Sequence, residues 1–307
     1  MSAQAVLFDA PGPKARLRHN ILAVVGVIGI AVILYFVVVK MGQAQQLQPS
    51  LWTPFLTPQA WLSYLIPGVI GTFGASVVSV FLAGIFGLVF GMGRLSHNRV
   101  IRMISGAVVE VFRSIPVLLM MIFAFTYFSR NGVFRTDLNP FMAVVTALTL
   151  YNGSVIAELV RSGVYALPKG QSEAGLSIGL TPGQTLRQIQ LPQALVAMLP
   201  ALLGQLVVVI KDSALGYQIT YLDLLNWSKT LGSAYGNVVP AYLVAAALFI
   251  GLNWAMTKLA GWVEARLKRT HHVAGPITTT VPNIVQGSAE PGPAVVTDVT
   301  DVESGRL

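Results

Sequence analysis

Ile66-Pro-Gly-Val-Ile-Gly-Thr-Phe-Gly-Ala-Ser-Val-Val-Ser-Val-Phe-Leu-Ala-Gly-Ile-Phe-Gly-Leu-Val-Phe-Gly-Met92 contains no Asp, Glu, Lys, Arg or His. A helix needs about 20 apolar residues to cross the roughly 30 Å hydrocarbon layer of a bilayer, and this run exceeds that. Gly68, Gly71, Gly74, Gly84, Gly87, Gly91 and Gly93 fall largely at three- and four-residue spacings. In lipid, small residues so placed let helix backbones approach closely. Five more apolar stretches lie near 21–39, 105–128, 140–162, 194–214 and 239–262. The expected fold class is all-α and polytopic, with about six transmembrane helices.

Composition agrees: 54% of the 307 residues are hydrophobic and 10% charged, with a mean hydropathy of +0.68, far from an average soluble domain. The formal charge of +8 does not point to nucleic acid, because long apolar runs separate the basic residues. Cysteine is absent, which excludes disulfides, Cys-liganded zinc and thiol chemistry. The four histidines, His19, His97 and the adjacent His271 and His272, have no partners at ligand spacing, so no metal site is expected.

Basic residues accumulate in cytoplasmic loops. With the N-terminus inside, Lys14, Arg16, Arg18, Arg94, Arg99, Arg102, Arg161, Lys169, Arg187, Arg266, Lys268 and Arg269 fall inside, against Lys40, Arg130, Arg135 and Lys229 outside. Twelve against four predicts both ends in the cytoplasm. The segments are then a tail at 1–20, an extra helix at 21–40, an extracytoplasmic connection at 41–65, a core at 66–265 with its cytoplasmic loop at 163–193, and a tail at 266–307. Pro, Gly, Thr and Ser crowd that last segment, a composition expected to stay disordered. Trp52 and Trp61 in the outer connection suit the membrane interface, where an indole buries its ring and keeps its N–H wet.

The longest cytoplasmic connection reads Ala166-Leu-Pro-Lys-Gly-Gln-Ser-Glu-Ala-Gly-Leu-Ser-Ile-Gly-Leu-Thr-Pro-Gly-Gln-Thr-Leu-Arg-Gln-Ile-Gln-Leu-Pro192. Pro168 and Gly170 are expected to break the preceding helix, and Glu173 to Ile178 to form a short one with its acid in the first turn. Gly179 ends it. Thr181 then caps a second helix, with Pro182 at the first position and Gln184 completing a capping box. Leu186 and Ile189 share a face, and Pro192 is expected to close the unit. Such a helix, turn and helix is a stiff knob suited to passing on force.

Glu173-Ala174-Gly175, three residues, Gly179, nine residues, Ile189, one residue and Leu191-Pro192 resemble the EAA loop of ABC importer permeases, whose pattern is EAA-x3-G-x9-I-x-LP. Every spacing is kept; Gly175 replaces the second Ala. Glu110-Val-Phe-Arg113-Ser-Ile-Pro116, Ala157-Glu158-Leu-Val-Arg161-Ser-Gly163, Gly170-Gln171 and Lys211-Asp212-Ser213-Ala214-Leu215 resemble the ExFRxxP, AExxRxG, GQ and KDTSL segments of the polar amino-acid branch of that family. The extra first span and long tail resemble actinobacterial glutamate permease subunits. The resemblance implies the type I ABC importer permease fold, a five-helix core plus one N-terminal helix. It implies a cytoplasmic ABC ATPase dimer gripping the loop at Gly170, Gln171, Glu173, Ala174, Gly175, Gly179, Ile189, Leu191 and Pro192. A second permease subunit, identical or related, an extracytoplasmic substrate-binding protein and surrounding lipid complete the partner set. No G-x-x-x-x-G-K-[ST] loop is present, so ATP and Mg belong to the partner ATPase and no cofactor is expected in this chain.

Ionisable groups within spans are costly and face a partner or a wet cavity. Glu110 and Arg113, and Glu158 and Arg161, are three apart and can pair locally; Lys211 and Asp212 are adjacent and point apart. A zwitterionic substrate needs both signs of charge or helix-end dipoles to replace its water. These six are therefore candidates for the substrate path, beside structural pairing, gating and inter-subunit roles. Two other readings stay open: an ABC permease for another small solute such as a peptide, metal or phosphate, and an ion-coupled secondary transporter, which predicts broken helices in matching halves.

Overall fold

A computed structural model describes residues 12–270, and every regular element among them is helical. The tail beyond Thr270 lies outside the described residues, as do the first eleven. Helix α1 (Pro13–Gln43) begins eight residues earlier than the sequence suggests, because Pro13 sits at its first position and proline there costs no hydrogen bond. No residue of its apolar window is buried by the other described residues, as suits a helix solvated by lipid. The connection after it contains the single turns α2 (Pro49–Trp52) and α3 (Pro58–Ala60). The indoles of Trp52 and Trp61 do not keep their N–H groups for water. They donate to the carbonyls of Gln46 at 3.0 Å and Phe55 at 2.7 Å, because the chain folds back on itself and supplies acceptors six residues away.

Helix α4 (Ile66–Arg94) continues from Pro58 without a break and packs along α7 (Asn139–Tyr165) as the central pair of the fold. Some of its glycines act as expected. A Cβ on Gly91 would stand 2.9 Å from Val160 Cβ, and Gly87 meets Ile156. Gly74 and Gly84 face open space, so they belong to a face that no described residue covers.

The third apolar stretch is not one helix. Helix α5 (Arg99–Ser114) and helix α6 (Val117–Asn131) meet at an angle of 98°. Pro116 disfavours helical geometry at the residue before it, and Ile115 is extended at φ −87° and ψ 128°. Gly93 faces Ser105 and Phe86 faces Phe112 at 6.3 Å between ring centroids. Helix α5 therefore runs back beside α4, and the bend falls alongside the apolar run of that helix. Among the described residues five helices are thus long and apolar enough to cross a membrane, with six spans if the bent pair counts as one.

After α7 come α8 (Lys169–Ser177) and α9 (Pro182–Thr185), then α10 (Leu191–Ser213). Pro192 does not end the second helix as expected. A wide turn at Leu186–Gln190, in which the Leu191 N–H reaches the Leu186 carbonyl, joins α9 to α10, and the looser turn accommodates a residue that has no N–H to give. The result is one helical rod from Pro182 to Ile219. Helix α11 (Leu224–Tyr235) follows that rod in sequence and packs on α4 and on α12 (Val238–Thr270), which also packs on α10. Since α12 runs to Thr270, the start expected for the tail at residue 266 is too early.

Candidate functional site: the elbow and the charges above it

The elbow at 169–193 is built almost entirely from local rules. Pro168 caps α8, which starts at Lys169. Gly170 is thus inside the first turn rather than a breaker, and Glu173 stands in the second turn, beyond the range of the helix-end dipole. Gly179 adopts a left-handed φ of +86°. The Leu180 N–H reaches the Gly175 carbonyl at 3.1 Å and the Gly179 N–H reaches that of Leu176 at 3.0 Å, the paired bonds of a glycine-terminated helix end. The predicted capping box is present: Thr181 N–H donates to Gln184 Oε1 at 2.8 Å and Gln184 N–H donates to Thr181 Oγ1 at 3.4 Å.

Two features of the elbow have no signature in the motif. Gly175, the one departure from the pattern, is where the two helices cross: a Cβ there would lie 2.6 Å from Thr185 Cγ2 and 3.1 Å from Ile189 Cδ1. Thr185 is buried. In addition, Gln193 Nε2 donates to Gln171 Oε1 at 3.0 Å, tying the last residue of the loop to its third. Leu186 and Leu191 pack with Val160, Val164, Ala194 and Met198 beneath, which roots the knob in α7 and α10. Its free surface carries Glu173 and Ala174 together with Leu176 and Ile178, the last 75% exposed. A cleft of about 500 Å³, edged by His97 and Arg187, separates α9 from the turn between α4 and α5.

Above the elbow the charges are arranged differently from their sequence spacing. Glu158 and Arg161 do pair, at 2.9 Å, but Glu110 and Arg113 do not. Arg113 instead reaches Glu158 at 3.8 Å, and Arg94, which spacing could not nominate, lies 2.6 Å from the same carboxylate. Glu110 is exposed on α5 and forms no ion pair among the described residues. A local pair competes with any partner that folding delivers, and folding brought Arg113 to 3.8 Å from Glu158 rather than to Glu110. Lys211 is exposed and Asp212 half-buried. Both stand thirteen residues beyond Met198 or more, roughly 20 Å along the rod, so they form a separate group from the Glu158 cluster.

The opposite end of the rod holds a site that sequence reading missed. Tyr221 Oη donates to the Gly71 carbonyl at 2.7 Å and the Leu224 N–H donates to Thr72 Oγ1 at 3.0 Å. A Cβ on Gly68 would stand 2.8 Å from Leu224 Cα. This turn is clamped on the glycines of α4. Asp223 caps α11 through the Asn226 N–H at 2.8 Å and is wholly buried, and its second oxygen has no hydrogen-bond partner among the described residues. Burial pushes its carboxyl up to about 7, against the backbone N–H groups of Asn226 and Leu225 that pull it down. The available signal was an Asp at an N-cap position two residues after a Tyr.

Among the described residues no cluster of His, Asp and Glu is placed to hold a metal. The fold and its elbow define a class, the helical membrane subunit with a compact helix–turn–helix elbow between two of its long apolar helices. The comparisons with known proteins give the family. Residues 83–269 match the family described as the binding-protein-dependent transport system inner membrane component, and the chain belongs to it. It is 45% identical over 73% of its length to the glutamate transport system permease protein GluD of Corynebacterium glutamicum, covering 82% of that protein. It is 32% identical over 68% of its length to the probable glutamine ABC transporter permease protein GlnP of Bacillus subtilis, covering 95% of it. Among solved structures, an amino acid ABC transporter crystallised with histidines aligns at a TM-score of 0.60 and 27% identity, over 66% of this chain and 93% of that one. The methionine transporter MetNI in an inward-facing form aligns at 0.59 and 22%, over 68% and 99%, which supports the fold. The chain is therefore a membrane-embedded permease subunit of the type I ABC importer fold.

Proposed function

We propose that this permease carries a polar amino acid, with glutamate first among the substrates to test, and that the elbow at 169–193 is where a separate ATPase drives it. The observation that carries the coupling role is the rigid, rooted elbow with an exposed ridge of Glu173, Leu176 and Ile178. A stiff body with uncovered apolar side chains, continuous with two spans, can receive a push and deliver it. The names of the relatives, glutamate and glutamine permeases, support the substrate class. The chain has no phosphate-cradling loop, in keeping with a non-catalytic subunit whose ATP and Mg are held by an ATPase dimer. A binding protein on the far side and a second permease chain complete the importer. The twelve-to-four distribution of basic residues supports a cytoplasmic elbow and a cytoplasmic N-terminus.

The substrate path then runs between the Glu158 cluster and Lys211 with Asp212, and α5 lends it the exposed Glu110. A zwitterion crossing at that depth needs such groups in place of water. The test is reconstitution with the partner ATPase and binding protein in proteoliposomes, with uptake of labelled glutamate, glutamine, aspartate and a panel of other amino acids. ATP-dependent uptake of glutamate or a close relative is expected. Uptake driven by an ion gradient without ATP would overturn the reading, and transport restricted to a peptide or phosphate would overturn its substrate class.

A further inference from the structure

Three arginines from three helices converge on one carboxylate. Arg94 closes α4 and lies 2.6 Å from Glu158 Oε2; Arg113, in the last turn of α5, lies 3.8 Å from the same oxygen; Arg161, on α7 itself, lies 2.9 Å from Oε1. One negative charge is thus shared by three positive ones, and two of them compete for a single oxygen. Exposure grades along the set, with Arg94 at 14% and Arg113 at 42%. The Arg94 contact is the short and sheltered one. The Arg113 contact is long and wet, so it is the one a small displacement makes or breaks, with water taking over the guanidinium when it lets go.

The connections of these residues give the arrangement a direction. Glu158 sits two turns before the end of α7, and the chain passes from that end through Ala166–Pro168 directly into α8. Gly163 lies against Met198 of α10, so α7 is held to the other root of the elbow as well. Arg113 immediately precedes Ser114–Pro116, the hinge of the bent span. Motion of the elbow must therefore move Glu158, and Glu158 is what touches the residue beside the hinge. We infer that Glu158 is the positioning residue through which the elbow sets the angle of the α5–α6 span, with Arg94 as its fixed anchor and Arg113 as its switched contact. This rests on the reading that an ATPase acts on the elbow.

The absence of cysteine in the chain makes the test direct. Spin labels on Val111→Cys and Ser162→Cys, both exposed, report the separation of α5 and α7 in the reconstituted complex with and without trapped ATP. In the parent that separation is expected to change with nucleotide. In Arg113→Gln, which leaves Arg94 and Arg161 on Glu158, the change should vanish and the ATP hydrolysed per amino acid imported should rise at least about five-fold; Arg113→Lys should restore part of both. Glu158→Gln should act alike where it assembles. A cluster that only stabilises the fold would lower the yield and leave the ratio alone. A parent separation insensitive to ATP, or an Arg113→Gln complex with the parent's ratio, overturns the inference. A parent that imports nothing on ATP overturns the proposed function instead.

Discussion

The elbow and the turn at the other end of the same rod are held by opposite means. In the elbow, the end of α8, the capping box and the Gln171–Gln193 bond join residues no more than 22 positions apart. At the far turn, Tyr221 and Leu224 bond to Gly71 and Thr72 across 150 and 152 positions, and after α11 Asn237 Nδ2 donates to the Leu51 carbonyl across 186. A locally bonded body can move as a unit without losing its own contacts, whereas a turn clamped by distant partners must break bonds to move. The elbow can keep its shape when displaced, whereas the far turn holds the start of α11 to α4.

Replacing Gly179 by Pro attacks the elbow at its weakest tolerance. Proline cannot reach a φ of +86° and removes the N–H that closes α8, so it costs about 3 kcal/mol or more locally. Uptake should fall more than about ten-fold, with each 1.4 kcal/mol of lost coupling worth a factor of ten, while the protein still reaches the membrane. Near-parental uptake would show that the elbow tolerates a broken shape.

Asp223→Asn probes the far turn through pH. The folded form holds its proton up to about 7, whereas an unfolded carboxyl releases it near its ordinary value of about 4. Stability therefore falls as pH rises through that window, and stays at its lowest above about 7. The Asn variant should show a flat profile and gain roughly 2–4 kcal/mol at pH 8, read as a raised thermal midpoint. Parallel profiles for both proteins would contradict the burial of that charge.

Gly71→Val places a side chain against the Leu222 carbonyl and should loosen the turn by about 1–3 kcal/mol. Faster hydrogen exchange confined to residues near 220–224 is the expected sign, with the elbow unaffected. The smallest effect is Thr181→Ala, which removes one half of the capping box. It should cost about 1 kcal/mol, seen as faster exchange in α9 with uptake lowered less than about two-fold. Equal responses of both regions to either substitution would erase the distinction between them.

The same contrast governs how much could be read in advance. Gly179, Thr181 and Gln184 were legible because caps and tight turns depend on a few consecutive residues, and five apolar runs gave their helices by length alone. The third run misled because its hydropathy outweighed Pro116, although the constraint that proline places on Ile115 was present in the letters. The motif named Gly175 without revealing that it is the crossing point with Thr185 and Ile189. Glu158 was named together with a neighbour at helical spacing; its other partners lie 45 and 64 positions away, and no local pattern points to them.

By itself the sequence determined that this is a helical membrane protein with a capped elbow and a family likeness, since length, apolarity and capping are properties of short segments in their solvent. Only the tertiary structure decided that three arginines share one carboxylate, that one span is bent, and that Asp223 is buried with no ion-pair partner among the described residues. Those outcomes depend on which surfaces meet, and an ion pair or a buried charge has its energy set by the company that folding brings to it.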